Sequence, residues 1–393
     1  MTEEPPEAVR VGVPRETFPG ETRVALTPAV IPMLTKAGYG VVLESGAGAA
    51  AGFPDQAFRE QGAAIAPTRE EVFTADVIAQ VRTPSASGPE AAADLEHLRA
   101  DQILVGLADP LGSPEIERDV AERKVTLFAM ELIPRISRAQ SMDVLSSQAT
   151  VAGYKAVLES AERLTKMFPM LTTAAGTVPP AKVLVIGAGV AGLQAIATAR
   201  RLGGVVQAYD VRPAAREEVE SLGGKFVELP LQPGDAEDES GYAKALGEEF
   251  TRRQQEYLAE VASGMDVVIT TALIPGKPAP VLITAAAVHG MARGAIVVDI
   301  AAERGGNCEL TKADEEIDVD GVTILGPTNL PATVPNQASQ MYARNLTAFL
   351  THLRENFENS AEPEDEIVTS TMVTRGGRVV HTRVRELLGE VVA

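Results

Sequence analysis

The sequence contains one cysteine, Cys308, among 393 residues. A lone cysteine cannot form a disulfide within the chain, which excludes the disulfide-rich scaffolds of small secreted domains and fits a reducing compartment. The first residues, Met1–Ala8, are acidic and contain proline, whereas a secretory signal begins with a basic and then an apolar segment. We therefore expect a cytoplasmic protein.

Basic residues are also few. There are 35 lysines and arginines against 54 aspartates and glutamates, so the formal net charge is -19 at pH 7. Nucleic acid and anionic lipid would both be repelled by this charge. The expected partners are small molecules and other proteins.

A long uninterrupted apolar run is missing as well. The most apolar stretch, Val183–Ala199, includes three glycines and Gln194, and a spanning helix needs about 20 apolar residues. We interpret this stretch as a buried strand that turns into a buried helix, and we expect no direct membrane insertion. The overall composition, 45% hydrophobic and 23% charged, is typical of globular proteins.

The chain has two series of short β-rich runs that alternate with helical stretches, a pattern that indicates parallel sheets covered by helices. The first series is Val9–Val13, Val41–Glu44, Val77–Val81, Ile103–Leu107 and Val125–Ala129. The second is Lys182–Ile186, Val205–Tyr209, Phe226–Glu228, Asp266–Thr270, Ala295–Ile300 and Thr323–Leu325. The sequence therefore predicts two Rossmann-like, doubly wound α/β domains.

Two long helices are predicted to join these domains across a cleft, one over Val144–Phe168 and one over Pro335–Leu353. We expect residues 1–140 and 330–393 to form the N-terminal domain, and residues 141–329 to form the second domain. Near the C-terminus, Ile367–Val373 and Arg378–Val384 flank a glycine pair, which predicts a β-hairpin.

A dinucleotide fingerprint follows the first strand of the second series. The segment VLVIGAGVAG ends at Gly192 and places G-x-G-x-x-G between an apolar strand and an alanine-rich helix. In this context the first glycine permits the tight turn, the second lets the backbone approach a pyrophosphate, and the third lets helix and strand pack closely. The expected contacts are Gly187, Ala188, Gly189, Val190 and Gly192.

Asp210 ends the next strand, near the spacing at which an acid reaches the adenosine ribose. A carboxylate there repels a 2′-phosphate, so NAD is favoured over NADP. Val211 and Arg212 are expected beside the same ribose, and Arg212 weakens the preference because arginine accommodates a 2′-phosphate. A second glycine run, Gly46–Gly52, lacks a helix in the right place, and we predict no dinucleotide site there.

The segment PRISRAQSMDVLSS, residues 134–147, closely resembles the signature loop of the NAD(H)-binding component of proton-translocating transhydrogenase. Four other segments outside the fingerprint resemble that family too, and the similarity extends from about Val11 to Leu353. Alanine dehydrogenase has the same architecture and much of the same pattern. The further matching segments are Val13–Glu16, Tyr242–Lys244, Thr271–Pro280 and Gly305–Glu309.

The resemblance implies roles for particular residues. The loop residues are expected beside the nicotinamide and at the docking face for the NADP-bearing partner, Tyr242 in a lid over the nucleotide, and Ala272 and Leu273 in the wall of the pocket. In an alanine dehydrogenase, Arg15 would bind the oxo acid carboxylate, whereas here we expect it to have a structural role with Glu16. The four loop residues are Arg135, Gln140, Asp143 and Ser146, of which Arg135 and Asp143 are expected to pair.

Alanine dehydrogenase chemistry needs acid and base groups beside the nicotinamide. The alanine dehydrogenase pattern supplies a histidine, a lysine and an aspartate. No histidine falls in Ile103–Pro110, where that pattern has one, Arg82 stands at the lysine position, and Glu303 stands at the aspartate position. Hydride transfer between two nicotinamide rings needs no such groups. This contrast favours the transhydrogenase, with alanine dehydrogenase and a catalytically idle NAD-binding sensor as alternatives.

The resemblance also implies partners. NADP(H) is expected on a separate subunit, and a membrane-spanning proton-channel subunit is expected to hold this chain at the inner face of the cell membrane. A homodimer is expected from the family.

Overall fold

The computed structural model describes residues 9–88, 92–229, 247–274, 276–356 and 364–390. The chain divides into two compact units: unit 1 is Met1–Gln148 with Ala332–Ala393, and unit 2 is Ala149–Pro331. The strands, in chain order, are β1 (Val9–Val13), β2 (Tyr39–Glu44), β3 (Ala64–Ala66), β4 (Val77–Arg82), β5 (Ile103–Leu107), β6 (Thr126–Ala129), β7 (Leu171–Thr173), β8 (Gly176–Val178), β9 (Lys182–Ile186), β10 (Val205–Tyr209), β11 (Lys225–Phe226), β12 (Val267–Thr270), β13 (Ile296–Asp299), β14 (Glu316–Val319), β15 (Val322–Leu325), β16 (Met372–Arg375) and β17 (Arg378–Val379).

Helices connect most of these strands. In chain order they are α1 (Ile31–Lys36), α2 (Asp55–Glu60), α3 (Arg69–Val72), α4 (Ala92–His97), α5 (Ile116–Glu122), α6 (Val144–Arg163), α7 (Val190–Arg201), α8 (Ala215–Ser221), α9 (Glu248–Ser263), α10 (Ala285–His289), α11 (Pro335–Asn356), α12 (Glu366–Thr371) and α13 (Thr382–Leu387).

The sheet of unit 1 has the strand order β17-β16-β6-β5-β4-β1-β2-β3. Strands β1 to β6 are parallel, and β16 and β17 extend the sheet antiparallel beside β6. Successive residues of a strand point to opposite faces: Val77 and Ala79 lie in one buried cluster and Ile78 in another. Both faces are therefore covered, as in a doubly wound sheet.

The sheet of unit 2 has the order β11-β10-β9-β12-β13-β15-β14. All of its neighbouring strands are parallel except the edge pair β14 and β15. Val183 and Val185 pack in one cluster, and Leu184 and Ile186 pack in the other. The predicted Rossmann-like α/β class with parallel sheets is confirmed in both units.

Helix α11 belongs to the core of unit 1. It begins with a proline at its first position, where the missing N–H costs no intrahelical bond. Tyr342, Leu346, Phe349 and Leu353 recur at helical spacing and are all fully buried. The helix ends at Asn356, three residues beyond the predicted end, whereas α6 ends at Arg163, before the predicted Phe168.

The apolar stretch Val183–Ala199 forms most of β9, a glycine turn and most of α7, as predicted. In the part of the chain that the structure describes, we find no helix with the length and apolar character needed to span a membrane.

The C-terminal hairpin exists but is shorter than predicted. Its strands are β16 and β17, and Gly376 and Gly377 both have positive φ in the turn between them. The predicted strand from Ile367 is wrong, because Asp365 accepts hydrogen bonds from the N–H groups of Ile367 and Val368 and thereby caps α12. The predicted second strand ends early, and α13 begins at Thr382.

Candidate functional site

The glycine turn between β9 and α7 lies at the carboxyl edge of the unit 2 sheet. Gly187 has φ +95°, and a Cβ on it would come within 2.6 Å of the Thr271 side-chain oxygen. A Cβ on Gly192 would come within 1.8 Å of the Gly187 carbonyl oxygen. The protein itself therefore requires glycine at these two positions, through backbone conformation at the first and close packing at both.

Gly189 differs from the other two. Its φ of -76° and ψ of -169° suit any residue, and a Cβ there would meet no heavy atom within 4 Å. It is the N-terminal cap of α7, and no side chain caps this helix in the described part of the chain. The first N–H groups of a helix lack partners within the helix and carry the positive end of its dipole. Space and donors at this point fit a pyrophosphate.

Asp210 lies beside this turn because β10 is the neighbour of β9. Its carboxylate is buried and accepts a hydrogen bond of 2.7 Å from the N–H of Ala188. The Arg212 side chain also binds it, with Nε 2.9 Å from one oxygen and Nη2 2.9 Å from the other. Asp210 thus lies next to the glycine turn, and its pairing with Arg212 is a feature that sequence reasoning missed.

The segment after β12 lies at the same edge of the sheet, next to the glycine turn. The N–H of Thr271 donates to the Ile186 carbonyl, and its hydroxyl donates to the Gly187 carbonyl. Ala272 is held by the fully buried Asn307, whose amide accepts from the Ala272 N–H and donates to its carbonyl, both at 2.9 Å. Leu273, the next expected wall residue, is 43% exposed. Sequence reasoning noted Asn307 only as part of a family-like segment and missed this function.

Asp299, at the end of β13, holds neighbouring segments in place through its carboxylate. Its buried carboxylate accepts hydrogen bonds from the hydroxyls of Thr270 and Thr311 and from the N–H groups of Ala301 and Cys308. These bonds fix the segment that leads to Asn307.

The four loop residues with expected catalytic roles lie in unit 1. Asp143 accepts hydrogen bonds from the N–H and the hydroxyl of Ser146, at 2.9 and 2.6 Å. These two residues therefore fix the start of α6. Arg135 and Gln140 are exposed. Tyr242, the expected lid residue, lies outside the described residues.

The Arg15 side chain is bound to an acid, but the partner differs from the one predicted. Its Nε lies 3.0 Å from Glu44, to which its backbone N–H also donates. Glu16 instead accepts hydrogen bonds from the N–H groups of Val81 and Arg82. Burial, reinforced by the charge of Glu21, raises the pKa of Glu16 to about 8.

Arg82, which replaces the lysine of the alanine dehydrogenase pattern, lies over the Phe18 ring, with its guanidinium carbon 4.2 Å from the ring centroid. Its Nε is also 3.7 Å from a Glu21 carboxylate oxygen.

The second glycine run is followed by α2, which begins only at Asp55. The Asp55 carboxylate accepts hydrogen bonds from the Gly46 N–H and the Ser45 hydroxyl. The Gly46 N–H, which a phosphate would need as a donor, is thus already bonded to the Asp55 side chain.

Two family models match the chain. Residues 12–152 match the N-terminal domain of "Alanine dehydrogenase/PNT", and residues 156–382 match its C-terminal domain. The chain belongs to the alanine dehydrogenase/PNT family.

Its relatives distinguish two groups within this family. An NAD(P) transhydrogenase subunit alpha protein of Rhodospirillum rubrum is 46% identical over 95% of this chain and 98% of its own length. The NAD(P) transhydrogenase subunit alpha of Cereibacter sphaeroides is 44% identical over 94% of this chain and 71% of its own length. An alanine dehydrogenase from Methanococcus maripaludis is 25% identical over 95% of both chains.

Solved structures agree with this distinction. A transhydrogenase from Sinorhizobium meliloti has a TM-score of 0.82 at 43% identity and covers 95% of this chain and 99% of its own. An L-alanine dehydrogenase has a TM-score of 0.80 at 25% identity, covering 97% and 99%. The predicted resemblance to the NAD(P) transhydrogenase alpha subunit, and with it the enzyme class, is confirmed. The family implies NAD(H) binding.

Proposed function

We propose that this chain binds NADH at the glycine turn of unit 2 and passes hydride to NADP+ held by a partner subunit. The supporting observation is the environment of Gly189, which is open to solvent and caps a helix without a capping side chain. The N–H groups at the start of α7 would donate hydrogen bonds to the pyrophosphate, and the Asp210 carboxylate would accept hydrogen bonds from the adenosine ribose hydroxyls. Ala188, Val190, Val211, Arg212, Ala272 and Leu273 would line the same nucleotide.

The four loop residues, Arg135, Gln140, Asp143 and Ser146, would serve the nicotinamide and the docking of the partner. Gln140 has an amide that donates and accepts, which suits a carboxamide or ribose, and Arg135 offers a planar donor group. Asp143 and Ser146 would act by fixing the helix start that follows this loop. Tyr242 would contribute a lid contact.

The nicotinamide supplies the hydride, and the transfer needs no general acid or base from the protein. The chain has to hold one ring close to another and to exclude water. The environments of two arginines support this reaction over alanine dehydrogenation. Arg15, the group that would bind an oxo acid carboxylate, is bonded to Glu44, and Arg82 lies over Phe18.

The complete reaction would include proton translocation by a membrane-spanning partner. In this proposal, the partner subunits hold the chain at the inner face of the cell membrane, and the chain is present as a homodimer.

A comparison of two reaction mixtures tests the proposal. The chain is mixed with NADH, a thionicotinamide analogue of NADP+ and the NADP(H)-binding subunit, and separately with NADH, pyruvate and ammonium. We expect reduction of the analogue in the first mixture and no alanine formation in the second. Alanine formation in the second would support alanine dehydrogenase, and NADH binding without either reaction would support an idle sensor.

A further inference from the structure

The Asp210 carboxylate has four hydrogen-bond donors around it. One oxygen accepts from the backbone N–H of Arg212 at 2.8 Å and from its Nε at 2.9 Å. The other accepts from the Ala188 N–H at 2.7 Å and from Nη2 of Arg212 at 2.9 Å. A carboxylate offers about four lone-pair positions. All of the acceptor capacity of Asp210 is therefore in use within the protein.

The two hydroxyls of an adenosine ribose need two of these positions. The N–H groups of Ala188 and Arg212 are fixed by the backbone at the sheet edge, next to β9 and β10. The Arg212 side chain, in contrast, ends in a guanidinium that can rotate away, and 20% of this side chain is exposed. The donors that a ribose would displace are thus Nε and Nη2.

We propose that the Arg212 side chain competes with the adenosine ribose for Asp210 and leaves the carboxylate when NAD(H) binds, so that Arg212 limits NAD(H) affinity and selectivity against NADP(H). This inference rests on the proposed nucleotide site at the glycine turn. Arg212 is a specificity-determining residue in this account, with opposite effects on the two nucleotides.

The opposite effects follow from charge. While the guanidinium is bound, it neutralises Asp210 and occupies the positions that a ribose diol needs. A 2′-phosphate is repelled by a free carboxylate, but a guanidinium attracts it and can bind it with two parallel hydrogen bonds. Removal of the guanidinium therefore frees Asp210 for NADH and leaves NADPH facing an uncompensated negative charge.

The experiment compares Arg212→Met with Arg200→Met in the full chain. Both changes remove one positive charge, but Arg200 lies in the last turn of α7, whereas the glycine turn precedes its first. Nucleotide fluorescence gives the Kd for NADH and for NADPH at fixed ionic strength, and circular dichroism checks the fold of each variant.

For Arg212→Met we expect NADH to bind about threefold to fivefold more tightly, the upper part of the range for ion pairs that are not fully buried. NADPH should bind more weakly by a similar factor, and Arg200→Met should leave the ratio of the two Kd values unchanged. The proposal is overturned if NADH fails to bind more tightly to Arg212→Met, or if NADPH fails to bind more weakly.

A second variant keeps the test decisive if Arg212→Met does not fold. Arg212→Lys retains a charge but has no planar fork, so smaller shifts in the same two directions are expected, and shifts in other directions would overturn the proposal. A wild-type chain that binds no NADH would contradict the proposed function and this inference together. Wild-type binding with the wrong response to the Arg212 variants would contradict only the inference.

Discussion

The Gly189→Ala variant should weaken NADH binding and leave the stability of the fold nearly unchanged. In the protein alone, the added methyl meets no heavy atom within 4 Å, and the backbone angles of Gly189 are accessible to alanine. Alanine lowers the entropy of the unfolded chain but is a poorer helix N-cap than glycine, and these opposing effects are each up to about 1 kcal/mol. The free energy of unfolding should therefore change by less than about 1 kcal/mol.

Binding should change much more. A methyl at Gly189 would occupy the space through which the backbone reaches the pyrophosphate, and packing an extra methyl into a filled space costs about 1–3 kcal/mol. This cost corresponds to a Kd for NADH that is about 5 to 160 times higher at 25 °C. Calorimetric titration measures the Kd, and thermal unfolding measured on the same sample reports stability.

Two further glycines provide the comparison. Gly264 lies at the end of α9 with a negative φ, and a Cβ there would have its nearest neighbour at 3.8 Å. Gly264→Ala should therefore leave the Kd unchanged and alter the free energy of unfolding by less than about 1 kcal/mol. Gly192→Ala places a methyl 1.8 Å from a backbone oxygen and should cost about 3 kcal/mol of stability. Unchanged NADH affinity in a folded Gly189→Ala variant would refute the placement of the pyrophosphate at this turn.

Three more predictions concern the surroundings of the site. Asn307→Asp keeps the side-chain volume but cannot donate to the Ala272 carbonyl, so NADH binding measured by fluorescence should weaken by about fivefold to tenfold; wild-type affinity would contradict a positioning role for Asn307. Gln140→Ala should slow single-turnover hydride transfer to NADP+ far more than it raises the Kd for NADH, and equal losses would argue against a role at the nicotinamide. The pKa of Glu16 is about 8 in the folded state and 4.5 in the unfolded state, so between these pH values only the folded state keeps the proton. The contribution of Glu16 to stability should therefore fall as pH rises from about 5 to 8. The thermal midpoint of Glu16→Gln should fall less steeply over this range than that of the wild type, and parallel curves would contradict the raised pKa.

The sequence is sufficient to locate the strands that build the site. Strands β9 and β10 have the predicted bounds, because their β-branched and apolar runs are buried on both faces. The edge strands β3 and β14 were missed, since their short alanine-rich or acidic sequences have little β-propensity and become strands only through pairing with β2 and β15.

Side-chain pairing is harder to infer than strand position. The bond between Arg15 and Glu44 links the segment after β1 to the end of the neighbouring strand β2, which is distant in sequence, and several other acids were equally plausible partners. The sequence around Asn307 looks the same whether its side chain bonds to the backbone of another loop or faces solvent in a turn. Its bonds to Ala272 could therefore not be predicted. The start of α12 at Glu366, in contrast, had a signal in Asp365, a preferred N-cap residue. The glycine pair at Gly376 and Gly377, which predicted a hairpin with a strand on each side, outweighed that signal.

The central claim is direct passage of hydride from NADH on this chain to NADP+ on a partner. Its most direct test uses NADH deuterated at the transferred C4 position, with the chain assembled with its NADP(H)-binding partner and with pyruvate and ammonium present as a competing route. Mass spectrometry of the products follows the label. The account predicts that the deuterium appears in NADPH without loss to water, whereas deuterium in alanine, or its absence from NADPH, would contradict it.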